Sequence, residues 1–177
     1  MLKRISVSVL LSVLAGLSMA GVQGSYGVVN RTPSPEFERM KELVGTWRGT
    51  SAMGDKVEEA TVEYRLTSGG SAVLEKLYPG TPKEMVSLYY NRNGKLMMTH
   101  YCMLGNRPQL ELKSADVAGM DFLLSPNSDI DASNETHMHA LRISFDGKDK
   151  ITQKWTCFEQ GKEKHVSTFT LKRVTNA

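Results

Sequence analysis

A long succession of short strand-like runs limits the folds that this chain can adopt. From residue 46 onward, apolar and polar residues alternate with a period of two, as in strands that bury one face. About ten such runs can be counted, at residues 46–53, 56–66, 71–78, 84–91, 95–103, 109–114, 120–125, 137–145, 150–158 and 164–174. No long helical run separates them, which argues against a parallel sheet built from βαβ units.

Turn-forming residues separate most of these runs and predict hairpins. The turn signals are Gly54-Asp55, Gly69-Gly70, Pro79-Gly80, Asn93-Gly94, Gly105-Asn106, Asp146-Gly147 and Gly161. Short strands joined by hairpins indicate an antiparallel meander, and closing the meander removes its exposed edges. We therefore predict an all-β fold, an antiparallel up-and-down β-barrel of about ten strands.

Residues 1–20 have the pattern of a signal peptide. Lys3 and Arg4 precede an apolar stretch at residues 5–17, and Ser18-Met19-Ala20 forms a small-x-small cleavage site. The alternative, a membrane anchor, needs roughly 20 apolar residues, and this stretch is shorter. We expect cleavage before Gly21 and an exported protein, periplasmic or secreted. Residues 21–33 would then form a flexible linker and residues 34–177 the barrel domain.

A short amphipathic helix is predicted just before the first strand. Ser34 can serve as its N-cap, and Pro35 suits the first helical position. Phe37, Met40 and Val44 then recur at helical spacing, which predicts a helix over residues 35–44. Gly45 is expected to end this helix in a left-handed conformation. Because so short a helix is unstable alone, we expect it to close one end of the barrel.

Composition and motifs exclude several functions. The net charge is only +3, and no basic stripe is interleaved with aromatic residues, so nucleic acid is not expected as a partner. The chain has no Gly-x-Ser-x-Gly, no His-Glu-x-x-His and no glycine-rich phosphate loop, so no catalytic residue is assigned. An enzyme using the histidines of the barrel mouth, with Glu75 and His100 as an acid–base pair, remains an alternative.

The alternating strand directions of a meander predict which side chains share an end. Trp47 begins the first strand and Arg173 lies near the end of the tenth, so both fall at one end, the floor. The opposite end, the mouth, is predicted to hold His100, Cys102, His137, His139, Cys157 and His165. The longest connection, residues 126–135, also falls at the mouth and is expected to form a mobile lid.

Gly45-Thr46-Trp47 resembles the Gly-x-Trp motif that opens the first strand of lipocalin-like barrels of the calycin superfamily. The resemblance implies that Trp47 packs across the barrel floor beneath a basic residue of the last strand, here Arg173. The longer string Gly45-Thr46-Trp47-Arg48-Gly49 is similar to that of nitrobindin-like haem barrels. That similarity implies haem as a possible cofactor, with His165 as the approximate match to the axial ligand.

The expected function is the binding of a small hydrophobic or amphipathic ligand inside the barrel. Apolar burial would supply the affinity, and a few polar side chains would fix the orientation. The predicted ligand-binding residues are Tyr89, Met98, His100, His139, Leu141, Gln153 and Trp155. A barrel filled by its own side chains, and acting through its surface, is a further alternative.

The histidines and cysteines leave two questions open. Cys102 and Cys157, the only cysteines, are either a disulfide across the mouth or two buried thiols. His137 and His139, at positions i and i+2 of one run, would point the same way and could hold a metal. No carboxylate completes a recognised metal signature, so they are interpreted as polar residues that line the mouth, and no metal is expected.

Overall fold

A computed structural model of the protein describes residues 33–175. The predicted signal peptide and almost all of the predicted linker lie outside these residues. A helix, α1 (Pro35–Lys41), precedes the strands. The strands are β1 (Gly45–Met53), β2 (Lys56–Thr67), β3 (Ala72–Leu77), β4 (Met85–Arg92), β5 (Lys95–Tyr101), β6 (Gln109–Ala115), β7 (Gly119–Leu124), β8 (His137–Phe145), β9 (Lys150–Glu159) and β10 (Lys162–Arg173).

The ten strands form one closed antiparallel barrel. Each strand pairs with its neighbours in the sequence, and β1 pairs with β10 to close the barrel. The closing register places Trp47 opposite Arg173 and Ser51 opposite Phe169. The predicted all-β class and up-and-down strand order are therefore confirmed.

Helix α1 closes one end of the barrel. The Ser34 hydroxyl accepts a hydrogen bond from the backbone N–H of Phe37 at 3.2 Å, which confirms the predicted N-cap. Phe37 and Met40 are buried in the core. The helix ends at Lys41 rather than at residue 44. Residues 42–44 instead form turns, in which each backbone N–H donates to the carbonyl three residues earlier. Gly45 does not cap it, since this residue already belongs to β1 and has a φ of +132°.

The floor of the barrel is built around Trp47. Its indole N–H donates to the carbonyl of Leu43 at 2.8 Å, and the guanidinium carbon of Arg173 lies 4.3 Å from the ring centroid. Arg173 also donates to the carbonyls of Val44 and Glu42, at 2.9 and 2.7 Å. The expected contact between indole and guanidinium is thus present, and the same arginine satisfies carbonyls at the end of the helix segment.

The barrel interior is filled for most of its height. Among the large side chains that are fully buried there are Tyr89, Met98, Phe122 and Leu141. Gly49 shows how closely the wall packs, because a Cβ at this position would lie 2.0 Å from the carbonyl oxygen of Thr170. A cavity remains toward the end opposite to α1.

Candidate ligand-binding site

A cavity of about 580 Å³ opens at the mouth of the barrel, at the end opposite to Trp47. Its inner wall is mainly apolar and is formed by Leu77, Met85, Met138, Trp155 and Phe169. Its size lies within the range of roughly 300–1,000 Å³ that is usual for small-molecule sites. The barrel is therefore compatible with the binding of a ligand.

Small residues at inward positions create this space. On β1 the inward face carries Trp47 at the floor but Ser51 at the mouth, and on β10 Ser167 follows the same alternation as Phe169. Ser51 faces Phe169 and Met53 faces Ser167 across the closing strand pair. Each serine thus leaves free the volume that a large side chain would fill.

The rim of the cavity combines exposed apolar residues with charged ones. Met53 and Val57 are 42% and 64% exposed at the β1–β2 hairpin. Lys83 pairs with Glu58 at 2.5 Å, and this hydrogen bond lowers the pKa of Glu58. Both side chains are about half exposed, so the pair contributes little to stability. Because such a pair opens at small cost, the rim can offer either charge to the polar end of a ligand.

His100 and Trp155 form the base of the cavity. Their ring centroids are 4.6 Å apart, with the planes tilted by 39°. Burial lowers the pKa of His100 to about 4, so its imidazole is neutral at pH 7. Its Nδ1 lies 3.0 Å from the hydroxyl of Ser87.

A row of polar side chains extends from His100 across four neighbouring strands. Tyr64, Glu75, Ser87 and His100 are successive cross-strand partners on β2, β3, β4 and β5. Tyr64 donates to one carboxyl oxygen of Glu75 at 2.7 Å, and Tyr89 donates to the other at 3.0 Å. Since Glu75, Ser87 and Tyr89 are fully buried, this is a polar network inside the barrel wall.

Gln153, on β9, joins the network from the opposite wall. The indole N–H of Trp155 can only donate, and it lies 3.0 Å from Oε1 of Gln153, which fixes the orientation of the amide. The amide nitrogen then faces Glu75, at 2.5 Å from Oε1, and also the hydroxyl of Tyr64. The network is therefore connected to the base of the cavity at two points, through Gln153 to Trp155 and through Ser87 to His100.

The network shifts the pKa values of its members. Burial raises the pKa of Glu75, although hydrogen bonds from Tyr64, Ser87, Gln153 and Tyr89 oppose that rise. Burial, followed by the neighbouring Glu75, raises the pKa values of Tyr64 and Tyr89 well above their usual range. Groups with shifted pKa values next to a cavity are typical of functional sites.

The predicted ligand-binding residues separate into three groups in the structure. His100 and Trp155 line the cavity. Tyr89, Met98, Leu141 and Gln153 point inward but lie in the packed interior, below the cavity. His139 points away from it.

The inward orientation expected for His139 is wrong because β8 contains a bulge. The pairing of β8 with β9 shifts between Met138 and Ala140, so strict alternation fails there. Met138 pairs with Cys157 and lines the cavity, whereas His139 stacks on Phe158 with ring centroids 3.9 Å apart. Nε2 of His137 and Nδ1 of His139 are 3.0 Å apart, within hydrogen-bonding distance.

Several lining residues were missed by the sequence interpretation, namely Met85, Met138 and Phe169. Ser167 and Phe169 share one face of the predicted last strand, so the alternation of that strand could have placed both in the cavity wall. The bulge hid Met138. The 126–135 connection, expected as a lid, contributes no side chain to the cavity wall. Glu135 instead accepts a hydrogen bond from Asn106 at 2.8 Å.

Cys102 and Cys157 are both free thiols. Burial raises the pKa of each. The structure thus contains two thiols, and a disulfide between Cys102 and Cys157 stays a prediction from the sequence.

His165 pairs with Cys157 on the inward side of β10 but does not line the cavity. A haem iron bound to His165 would need an apolar slot beside that imidazole. The apolar cavity lies instead beside His100, whose Nδ1 is occupied by Ser87. The residues around His165 thus do not fit haem ligation, and a haem cofactor stays a prediction from the sequence resemblance.

Within residues 33–175, no three His, Cys, Asp or Glu side chains come together in a way that could hold a metal ion. In the same range, no helix is long and apolar enough to cross a membrane. No protein-family model matches the chain, and no curated protein is significantly similar to it.

Proposed function

We propose that the protein binds a small hydrophobic or amphipathic molecule in the cavity at the barrel mouth. The observation that carries the proposal is the open, apolar-walled space of about 580 Å³ above an otherwise filled interior. Met85, Met138 and Phe169 offer an apolar surface, and His100 offers a polar atom at the base. Burying apolar ligand surface there contributes about 25 cal/mol per Å², partly offset by the entropy lost on association.

The proposal includes a lipocalin-like, calycin-type protein that is exported. The closed up-and-down barrel, the Gly45-Thr46-Trp47 string and the Arg173–Trp47 contact support the calycin assignment. The signal-peptide pattern of residues 1–20 supports export. An exported barrel of this kind would carry or sequester its ligand outside the cytoplasm.

A fluorescent apolar probe tests the binding site. N-phenyl-1-naphthylamine is uncharged and brightens when it leaves water, so it can be titrated into the purified mature protein. Ser167→Trp would place an indole in the cavity, and Thr168→Trp is the matched control on the other face of the same strand. We expect the affinity to fall at least tenfold in Ser167→Trp and to change less than twofold in Thr168→Trp.

A second blocking variant protects the test against misfolding. Met138→Trp fills the cavity from a different strand, β8. Circular dichroism checks that each variant keeps the barrel. Unchanged probe affinity in both folded blocking variants would contradict the proposed site. Leu141 is unsuitable for such a test, since it is fully buried in the packed interior and a larger side chain there would disrupt the core.

A further inference from the structure

The strand register aligns three ionisable or hydroxyl side chains into a chain that ends at the cavity. Glu75 lies opposite Ser87, and Ser87 lies opposite His100, on three neighbouring strands. The Ser87 hydroxyl is 3.0 Å from Nδ1 of His100. Ser87 is also the cross-strand partner of Glu75, and its hydroxyl lowers the pKa of that carboxyl by hydrogen bonding. The buried carboxyl is therefore linked to the cavity through one hydroxyl group.

Nε2 of His100 is the nitrogen that remains for a ligand. It has no hydrogen-bond partner among the described residues, whereas Nδ1 is occupied by Ser87. In the same part of the chain, the only fully buried side-chain nitrogen or oxygen without a partner is Oδ1 of Asn106. Nε2 is therefore accessible, and His100 is one of the residues that line the cavity.

The direction of the hydrogen bonds depends on one proton. If Glu75 is ionised, its carboxylate accepts from Ser87, and Ser87 in turn accepts from Nδ1–H of His100. The neutral imidazole then carries no proton on Nε2, which can only accept a hydrogen bond. If Glu75 is a neutral acid, its O–H donates to Ser87, and Ser87 donates to Nδ1. The imidazole proton then sits on Nε2, which can only donate.

We propose that Glu75 sets, through Ser87, which hydrogen bond His100 offers, and that the neutral acid makes Nε2–H the donor for a ligand oxygen. The ligand class that follows is an apolar molecule with a carbonyl oxygen, such as a ketone, an aldehyde or an ester. This inference rests on the proposed function, because it names the ligand of the same cavity. A plain hydrocarbon would leave the buried Nε2–H unpaired, which is costly.

The surroundings of Glu75 favour the neutral acid. Its side chain is fully buried, and none of the ion pairs in the described structure includes it. Hydrogen bonds from four neighbours favour the carboxylate, but burial without a cation outweighs them and raises the pKa of Glu75. The titratable groups that face the network from adjoining strands are Tyr64, Tyr89 and His100. Those that share the cavity with His100 are Asp55, Lys56, Glu58, Tyr78 and Lys83.

Nitrogen-15 NMR of the ligand-free protein tests the proton relay directly. His100 is identified by comparison with His100→Phe, and its two ring nitrogens report which one carries the proton. At pH 7 we expect the Nε2–H tautomer in the wild type. Glu75→Gln cannot ionise, and with its amide N–H directed at Ser87 in place of the acid O–H it should keep that tautomer at every pH from about 5 to 10. An Nδ1–H tautomer in the wild type at pH 7 would overturn the proposal.

A matched pair of probes tests the ligand class. 2-Acetylnaphthalene and 2-isopropenylnaphthalene have nearly the same shape, but only the first has an oxygen acceptor. For each protein the measured quantity is the Kd of the alkene divided by the Kd of the ketone. We expect this ratio to be about five times larger in the wild type and in Glu75→Gln than in His100→Phe. An equal ratio in all three proteins would overturn the inference while alkene binding still supported the cavity. Absence of binding by both probes would refute the proposed function and the inference together.

Discussion

Replacing Glu75 with Gln tests the buried network through the pH dependence of folding. An acid whose pKa is raised in the folded state binds its proton more tightly there than in the unfolded chain. Its stabilising contribution is complete below the unfolded pKa, near 4.5, and is lost as the pH rises toward the folded pKa. Gln keeps the shape of the neutral acid and cannot ionise, so this loss should be absent from Glu75→Gln.

The magnitude follows from the proton that distinguishes the two states. One proton held only by the folded protein changes the free energy of unfolding by about 1.4 kcal/mol per pH unit. The wild type should therefore lose stability relative to Glu75→Gln with up to this slope above pH 4.5, and the difference should level off at the folded pKa. Near pH 4 we expect the variant to be less stable by about 1 kcal/mol, since its second amide hydrogen lacks an arranged acceptor.

Urea denaturation between pH 4 and 9, followed by tryptophan fluorescence, measures this difference. Trp47 and Trp155 are both buried and report unfolding. Surface carboxyls with lowered pKa values, such as Glu84, make the protein more stable as the pH rises. This effect is the same in the wild type and in Glu75→Gln, so it cancels in the difference. The pKa values of Tyr64 and Tyr89 lie too high to contribute in this range. Parallel stability curves across the whole range would refute a raised pKa for Glu75.

Three further predictions concern the floor, the wall and the cofactor. Replacing Arg173 with Ala should cost about 2 kcal/mol in urea denaturation, because the Trp47 contact, three hydrogen bonds to backbone carbonyls and the pairing with Asp149 are lost, and Arg173→Lys should recover part of it. Gly49→Ala should lower the free energy of unfolding by about 3 kcal/mol, because its Cβ would clash with the backbone of Thr170. Gly54→Ala should cost only about 1 kcal/mol, since no atom lies within 4 Å and only its φ of +57° is unfavourable. Equal losses in the two variants would contradict the packing described. On hemin titration, His165→Ala should behave like the wild type, and a Soret band lost in the variant would restore the haem prediction.

The barrel could be predicted from the sequence because the patterns that indicate it lie within short segments. Alternation and turn residues are properties of short segments, and ten hairpin-linked strands leave few ways to remove their edges. Strand count placed Trp47 and Arg173 at the same end of the barrel, and the lipocalin-like resemblance implied their contact. These predictions needed no knowledge of side-chain volumes.

The candidate site was predicted less well because it depends on register and volume. One bulge at His139 reversed the inward face of β8 at the mouth, and nothing local marked it. The inward face of β3 was also hard to assign, because Glu75 lies on it with Val73 and Leu77. Tyr78 does not continue the alternation, since it leaves the strand with a φ of +54°. Whether Met98 lines a cavity or fills the core depends on every side chain opposite to it, which periodicity does not show.

Methionine-methyl NMR tests most directly whether the mouth cavity is the binding site. Met85 and Met138 line the cavity, whereas Met40 and Met120 are buried elsewhere in the core. In protein labelled with carbon-13 at the methionine methyl groups, N-phenyl-1-naphthylamine should shift the Met85 and Met138 signals and leave those of Met40 and Met120 in place. Shifts at Met40 or Met120 with none at Met85 and Met138 would contradict a ligand site at the barrel mouth.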